Sequence, residues 1–390
     1  MSKAYRNTQN SKKYIAILST CVDDWGGSEE LWAISTPHLQ KEDFDITVLK
    51  ENINFNHKRI VDLKSKKVKF IALSKSYNKV LKRFINAYYQ IKKPFYNAHL
   101  YAFEKFIKTK KPSLIIISQA INFDGLHYAQ LCLKHNIEYI IISHKAVEFY
   151  WPPQGERSYM INVYKQARMC YFVSEHNKNL TEEQFGFRFK NAEIIRNPMK
   201  IKPIPIPYPS TEQGFKLLMI GRLFVIDKGH DILFRILTKE KWKKRKLHLS
   251  IVGTGPDYEG LQAMASLLKL ENIEFLGHQD NIKQIWLNHH ALAIPSRSEG
   301  MPLVVIEAMS AGRTVIATRA GGTQELVKNE VTGFIGDATE NSFEKTLENA
   351  WSNRMRWNTM GLEASHYIKK NISATPELDF AKKIISLVYE

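Results

Sequence analysis

Cysteine is scarce in this 390-residue chain, and Cys21, Cys132 and Cys170 form no CxxC pair and are odd in number. That pattern argues against a disulfide framework or a thiolate zinc site, and a reducing, cytoplasmic compartment is expected. Long apolar runs are also missing. Stretches such as Leu114 to Ile117 and Tyr139 to Ile142 fall far short of the ~18 residues that a bilayer span needs. The N-terminus has Lys12 and Lys13 before a short apolar stretch and Asp23 and Asp24 soon after, so it lacks a signal h-region and is expected to be a ragged tail leading into the first strand. No HExxH, Walker lysine loop or GxSxG elbow occurs, which removes support for metalloprotease, P-loop ATPase and α/β-hydrolase readings. Glycine (19) and proline (14) are too few for a collagen-like chain.

Acidic residues are in short supply, 39 against 56 Lys and Arg, for a net charge of +17. The imbalance is local: up to Lys200 the chain carries +14, and the stretch from Lys58 to Lys111 sets sixteen basic residues against only Asp62 and Glu104. Its charge is interleaved with Tyr77, Phe84, Tyr88, Tyr89, Phe95, Tyr96, Tyr101, Phe103 and Phe106. Such segments suit an anionic membrane surface, with nucleic acid as the competing electrostatic partner. The plain alternative is that the aromatics are core and the lysines a solvated face.

β-branched apolar runs alternate with amphipathic stretches, the signal of βαβ units. Strands are expected at Tyr14 to Ser19, Asp45 to Leu49, Val68 to Leu73, Ser113 to Ser118, Glu138 to Ser143 and Met169 to Val173. Helices are expected at Glu29 to Leu39, Asn78 to Gln90, Phe123 to Lys134 and Glu175 to Phe185. A Pro-rich stretch, Asn197 to Pro209, excludes helix and central strand and marks a boundary. The alternation then restarts with strands Lys216 to Ile220, Leu247 to Val252, Ile273 to Phe275, Leu292 to Ile294 and Thr314 to Ala317. The fold class expected is α/β, two doubly wound Rossmann-like domains facing a central cleft. The divisions are 1–200, 201–372 and a terminal helix in 373–390 that crosses back to the first domain. Ligands in such folds sit at the carboxyl ends of the strands.

The segment from Ile294 to Gly312 follows a strand and opens a helix. Glu299 in the loop and Glu307 inside the helix can face one cleft. Gly300 allows close backbone approach, and the first-turn amides of Met301, Leu303 and Val304 are free donors for an anion or a sugar hydroxyl. Two Glu and a Gly alone favour a capped core helix with solvated carboxylates; the wider context reverses that preference.

Ser298 to Val327 resembles the E-x7-E signature of retaining, GT-B-fold glycosyltransferases of glycosyltransferase family 4. Gly221-Arg222-Leu223 with Lys228-Gly229-His230-Asp231 looks like that family's basic pair, and Trp25-Gly-Gly-Ser-Glu-Glu30 is similar to its glycine loop after the first strand. The resemblance implies a metal-independent enzyme, with no cofactor, that moves a sugar from a nucleotide-diphosphate-sugar donor to a saccharide or lipid-linked acceptor in cell-surface glycan synthesis. By the same resemblance Arg222 and Lys228, with Gly26 and Gly27 close by, would bind the donor diphosphate. Gly300, Met301 and Leu303 would form the donor sugar and phosphate loop, Glu307 would bind ribose, and Glu299 and His144 would act at the reacting sugar. Charge-assisted hydrogen bonds from Arg and Lys to a diphosphate supply the physical reason. The enzyme would be peripheral on the inner face of the plasma membrane. A nucleotide-sugar epimerase of the same fold and an inert anionic-polymer binder are the alternatives. Asp43-Phe-Asp45 is taken as a turn rather than a metal site. Gly253-Thr-Gly255-Pro256 lacks the third glycine of a dinucleotide fingerprint, and Pro256 is expected to begin the next helix.

Overall fold

A computed structural model describes residues 13–75, 80, 83, 84, 87 and 97–389. Among these, thirteen strands form two separate, all-parallel sheets. The first holds β1 (Tyr14–Ser19), β2 (Asp45–Lys50), β3 (Lys69–Ala72), β4 (Leu114–Gln119), β5 (Tyr139–Ser143), β6 (Cys170–Phe172) and β7 (Ala192–Ile194) in the order β3-β2-β1-β4-β5-β6-β7. The second holds β8 (Phe215–Ile220), β9 (Leu247–Val252), β10 (Ile273–Gly277), β11 (Ala291–Ile294), β12 (Thr314–Thr318) and β13 (Gly333–Gly336) in the order β10-β9-β8-β11-β12-β13. Strands such as Leu114–Gln119 and Tyr139–Ser143 are buried along their whole length, as expected where helices cover both faces. Each sheet reverses its winding once, between β1 and β4 and between β8 and β11. Those crevices are where open α/β sheets bind ligands. The loops that leave β1, β8 and β11 therefore set the site.

The expected alternation is present, with differences of a few residues at element ends. The expected helix at Phe123 begins at Leu126, because Gly125 takes φ 73° before it. Short strands β7 and β13 have too few apolar residues to stand out in the sequence. The expected helix Asn78 to Gln90 falls largely outside the described residues. Pro256 does not open the following helix, which starts at Tyr258. Asp43 adopts φ 60° between the helix Gly27–Lys41 and β2, so it turns the chain.

The segment joining the two sheets is tied to the second by Arg313. Its guanidinium, 1% exposed, donates to the carbonyls of Ile206 at 3.2 Å, Pro207 at 2.6 Å, Trp286 at 2.9 Å and His289 at 2.8 Å. The terminal helix Pro376–Tyr389 packs against Gly27–Lys41 on the first sheet. Phe380, Ala381 and Ile384 are fully buried there, Phe380 meets Tyr171 edge to face, and Ser35 Oγ donates to the Glu377 carbonyl at 2.9 Å. Among the described residues no helix is long and apolar enough to cross a membrane.

Candidate active site

The loop after β8 carries Gly221 and Arg222 and closes in one helical turn, Val225–Lys228. Gly229 ends that turn at φ 66°, where a Cβ would come within 2.1 Å of the Pro295 carbonyl oxygen. Only glycine lets the turn press onto the loop after β11. This contact delivers Lys228 to Glu299: Nζ donates to Oε1 at 2.7 Å, with Glu299 7% exposed. Ser296 Oγ donates to the same oxygen at 2.7 Å, and Thr318 Oγ1 in turn donates to the Ser296 carbonyl. Asp227 accepts the Arg297 and Ser298 amides through its carbonyl, while Arg297 pairs with both carboxylate oxygens of Asp231 at 2.8 and 2.9 Å. Burial pushes the Asp231 carboxyl up, but Arg297 and Arg235 outweigh it and hold it below its ordinary value. Glu299 and Lys228 are thus held together by two interlocked loops.

Four contacts join this assembly to the first sheet. Arg222 Nη1 lies 3.2 Å from Asp23 Oδ2 in the loop after β1, with both side chains about half exposed. Lys145, just past β5, pairs with Asp227 at 2.8 Å. A Cβ on Gly300 would stand 1.9 Å from the His144 carbonyl oxygen, and one on Gly322 2.8 Å from Ser174 Cβ. Gly300 was expected to let backbone approach a ligand; here it admits the backbone of His144. Gly321, at φ 54°, takes the Glu299 carbonyl in the same way.

His144 is 6% exposed, and its Nε2 lies 3.2 Å from Ser118 Oγ. Burial drives the imidazole down to about 3, against a weaker upward pull from Asn197, so it is neutral at physiological pH. Gly26 caps the helix Gly27–Lys41 in extended backbone, and Gly27 faces Leu303 Cδ1, which a Cβ would meet at an ordinary 3.7 Å. Gly27 therefore sits opposite the start of the helix Leu303–Ser310, whereas a Cβ on Gly26 would meet Cys21 Sγ at 3.1 Å. Met301 is buried and Leu303 half-buried, and among the described residues the amides of Met301, Leu303 and Val304 have no hydrogen-bond partner. Gly253 and Gly255 serve packing: their Cβ atoms would collide with the carbonyls of Gly221 and Leu223.

Glu307 is 5% exposed, and burial pushes its carboxyl from the ordinary 4.5 up to about 7, with Lys200 pulling weakly the other way. The raised value means that its contribution to stability is fully present below about 4.5 and is lost as pH rises through about 7. Glu307→Gln should therefore match the parent at about pH 4 and exceed it by roughly 3 kcal/mol at about pH 8. Urea unfolding at the two pH values checks this; a Gln variant that is less stable at both would show that the carboxylate has a partner in the fold.

Sequence reasoning missed the parts that hold the site. Glu29, in the glycine loop's helix, is fully buried and pairs with Lys50 at 2.8 Å. Asp23, Asp227, Ser296 and Glu325 are ordinary polar residues in sequence. The roles of Asp23 and Asp227 follow from contacts with Arg222 and Lys145, and Glu325 accepts from the His176 amide at 3.0 Å, all between segments far apart in the chain, whereas Ser296 acts on Glu299 three residues on. The basic stretch behaves in part as core: Phe103 is fully buried, and Tyr101 and Phe106 pack on the first sheet's core. Lys58 pairs with Asp280, Arg59 with Glu30 and Lys66 with Asp62. Phe84 is 71% exposed, and Tyr77, Tyr88, Tyr89, Phe95 and Tyr96 lie outside the described residues.

Residues 214–353 match the model of the family Glycosyl transferases group 1. An uncharacterized glycosyltransferase of Haemophilus influenzae is 27% identical over 67% of this chain and 71% of its own length. Lipopolysaccharide 1,6-galactosyltransferase of Salmonella typhimurium is 26% identical over 60% of this chain and 64% of its own length. The chain thus spans about two thirds of these relatives. The crystal structure of Anabaena Alr3699/HepE in complex with UDP superposes with a TM-score of 0.71 at 17% identity, over 96% of this chain and 100% of that one. The group 1 match covers β8 to the helix Glu340–Ser352, and the chain as a whole, with its two parallel sheets, has the fold of a GT-B glycosyltransferase.

Proposed function

We propose that the protein is a retaining glycosyltransferase that takes a hexose-like sugar from a nucleotide-diphosphate donor and passes it to a saccharide or lipid-linked saccharide in cell-surface glycan assembly. The observation that carries this reading is the Lys228–Glu299 pair at 2.7 Å, on the same two loops as the free amides of Met301 and Leu303 and the half-exposed guanidinium of Arg222. A departing diphosphate gathers negative charge, and Arg222, Lys228 and the helix start at Leu303 are the groups aimed at it. Glu299 would hold donor-sugar hydroxyls and balance positive charge at the anomeric carbon. Glu307 would accept from the ribose hydroxyls, a use for a carboxylate that otherwise costs stability. In this reading the bond from the anomeric carbon to the bridging phosphate oxygen breaks, its electron pair leaving with the diphosphate, as the acceptor oxygen bonds on the same face, and a phosphate oxygen takes the acceptor proton. No resident metal is required, because the cations are side chains. The galactosyltransferase relative supports a glycan product, and the UDP complex of the Anabaena protein supports a nucleotide donor. Cytoplasmic residence, with peripheral attachment through the basic stretch 58–111, is part of the same proposal.

A thermal-shift panel of UDP, GDP, ADP and their sugar conjugates tests it. A ligand at 100 times its dissociation constant stabilises by ~2.7 kcal/mol. The expected result is a shift with one nucleotide that disappears in Arg222→Ala. A shift that survives the substitution would place the diphosphate elsewhere, and no shift with any nucleotide would overturn the reading.

A further inference from the structure

Three consecutive aromatic side chains stand in solvent on the loop that leaves β5. Phe149, Tyr150 and Trp151 are 51%, 44% and 59% exposed. Single exposed apolar residues need no explanation, but three adjacent rings make a patch. The backbone beneath them is firmly held. The Gln184 side-chain amide donates to the carbonyls of Val147 at 2.7 Å and Tyr150 at 2.6 Å, and the Ala146 amide donates to Asn177 Oδ1 at 3.3 Å. Gln184 and Asn177 are themselves fully buried. The Tyr150 amide closes a turn onto Val147 O at 3.1 Å, and Phe149 meets Tyr150 edge to face at 5.0 Å. Pro152 and Pro153 then fix the exit of the chain. Rings mounted this way have little backbone freedom left to lose on binding.

Their place is the rim of the candidate site. The same loop begins with His144 against Gly300 and Lys145 paired to Asp227. Glu148, immediately before the patch, lies 3.1 Å from His176 Nε2, and the His176 amide donates to Glu325 of the second sheet's side at 3.0 Å.

We infer that Phe149, Tyr150 and Trp151 form a stacking platform for the sugar rings of a saccharide acceptor. This rests on the glycosyl-transfer reading above and adds where the acceptor lies. One face of a pyranose presents C–H bonds of slight positive character, and an aromatic face is negative, so the two stack without a hydrogen bond. The Tyr150 hydroxyl and Trp151 indole N–H remain available to ring hydroxyls at the edges. A bilayer is the competing occupant, since Trp and Tyr also favour membrane interfaces. Local charge decides against it. Residues 148–157 carry Glu148 and Glu156 against Arg157 alone, so an anionic headgroup layer gains no attraction there, whereas a neutral sugar is indifferent.

The test sets the wild type, Trp151→Ala and the triple Phe149→Ala, Tyr150→Ala, Trp151→Ala variant on an array of defined di- to hexasaccharides, with nucleotide thermal shifts measured in parallel. The expected result is saccharide retention by the wild type, weakening of about tenfold in Trp151→Ala, loss in the triple variant, and an unchanged nucleotide shift throughout. Equal retention by wild type and triple variant overturns the platform, as does a wild type that shows a nucleotide shift yet retains no saccharide. So does loss of flotation with phosphatidylcholine–phosphatidylglycerol vesicles in the triple variant while array binding persists, which makes the rings a membrane contact. Ring-dependent saccharide retention without any nucleotide shift keeps the platform and removes the donor reading instead.

Discussion

Lys50→Met is expected to destabilise the fold by about 3–5 kcal/mol, and adding Glu29→Leu to it should recover most of that loss. The pair is enclosed, with side chains 3% and 0% exposed and Nζ 2.8 Å from Oε1. Removing the lysine leaves a carboxylate with Ser19 Oγ at 2.9 Å and the Gly26 amide at 3.0 Å, but no cation. Burial already pushes the Glu29 carboxyl above its ordinary value against the downward pull of Lys50, so losing Lys50 drives it to protonate. An apolar pair of similar volume avoids both desolvation costs, hence the recovery. What the apolar pair lacks is direction. Lys50 Nζ also donates to the Asp23 carbonyl at 2.9 Å and reaches that of Asp24 at 3.3 Å, while Glu29 caps its own helix through Gly26. These bonds shape the loop that offers Asp23 to Arg222. The double variant should therefore be folded yet slow in transfer, with its loop released. Urea midpoints at constant m-value measure the stability part. A single Lys50→Met cost below about 1 kcal/mol would show that water reaches the pair.

Fold class was legible because β-branched runs such as Ile115 to Ile117 and Ile140 to Ile142 carry their own signal, being buried on both faces of a parallel strand. The loops after β8 and β11 were legible too, since Arg222, Lys228, Glu299 and Glu307 sit within short stretches whose glycines and strand-to-helix context are local. The meaning of the glycines was harder to read. Gly300 and Gly321 are set by the backbone carbonyls of His144 and Glu299 and Gly322 by the side chains of Met301 and Ser174, and His144 and Ser174 come from the other sheet's side. Lys50 at the end of β2 looks like any strand-terminal lysine until the fold places it over Glu29, 21 residues earlier. Aromatics within the basic stretch were open to two readings in the sequence. Phe103 and Phe106 interleave with lysines as a membrane helix would, yet they pack inward, because a helix on a parallel sheet needs one apolar face whatever charge lies on the other.

Glu299→Gln and Lys228→Ala should both cut transfer by about 10²–10³, the loss typical of removing one preorganised charged contact to a transition state, but they should move nucleotide affinity in opposite directions. In the free enzyme Lys228 spends its charge on Glu299 at 2.7 Å. Glutamine keeps the length of the side chain and can still accept from Ser296 Oγ and Lys228 Nζ, but it removes the competing anion. A diphosphate then meets a lysine with no carboxylate to displace, so the nucleotide product should bind as tightly as before or tighter while turnover falls. Lys228→Ala does the reverse. It withdraws a cation from the diphosphate and leaves a carboxylate, 7% exposed, facing the incoming phosphates, so affinity falls with rate. Isothermal titration of the nucleotide alongside single-turnover transfer separates the two effects. If both variants lose affinity equally, the pair is a structural clip; if Glu299→Gln keeps its turnover, the acid has no part at the reacting sugar, and Lys228 alone would remain as the group aimed at the leaving diphosphate.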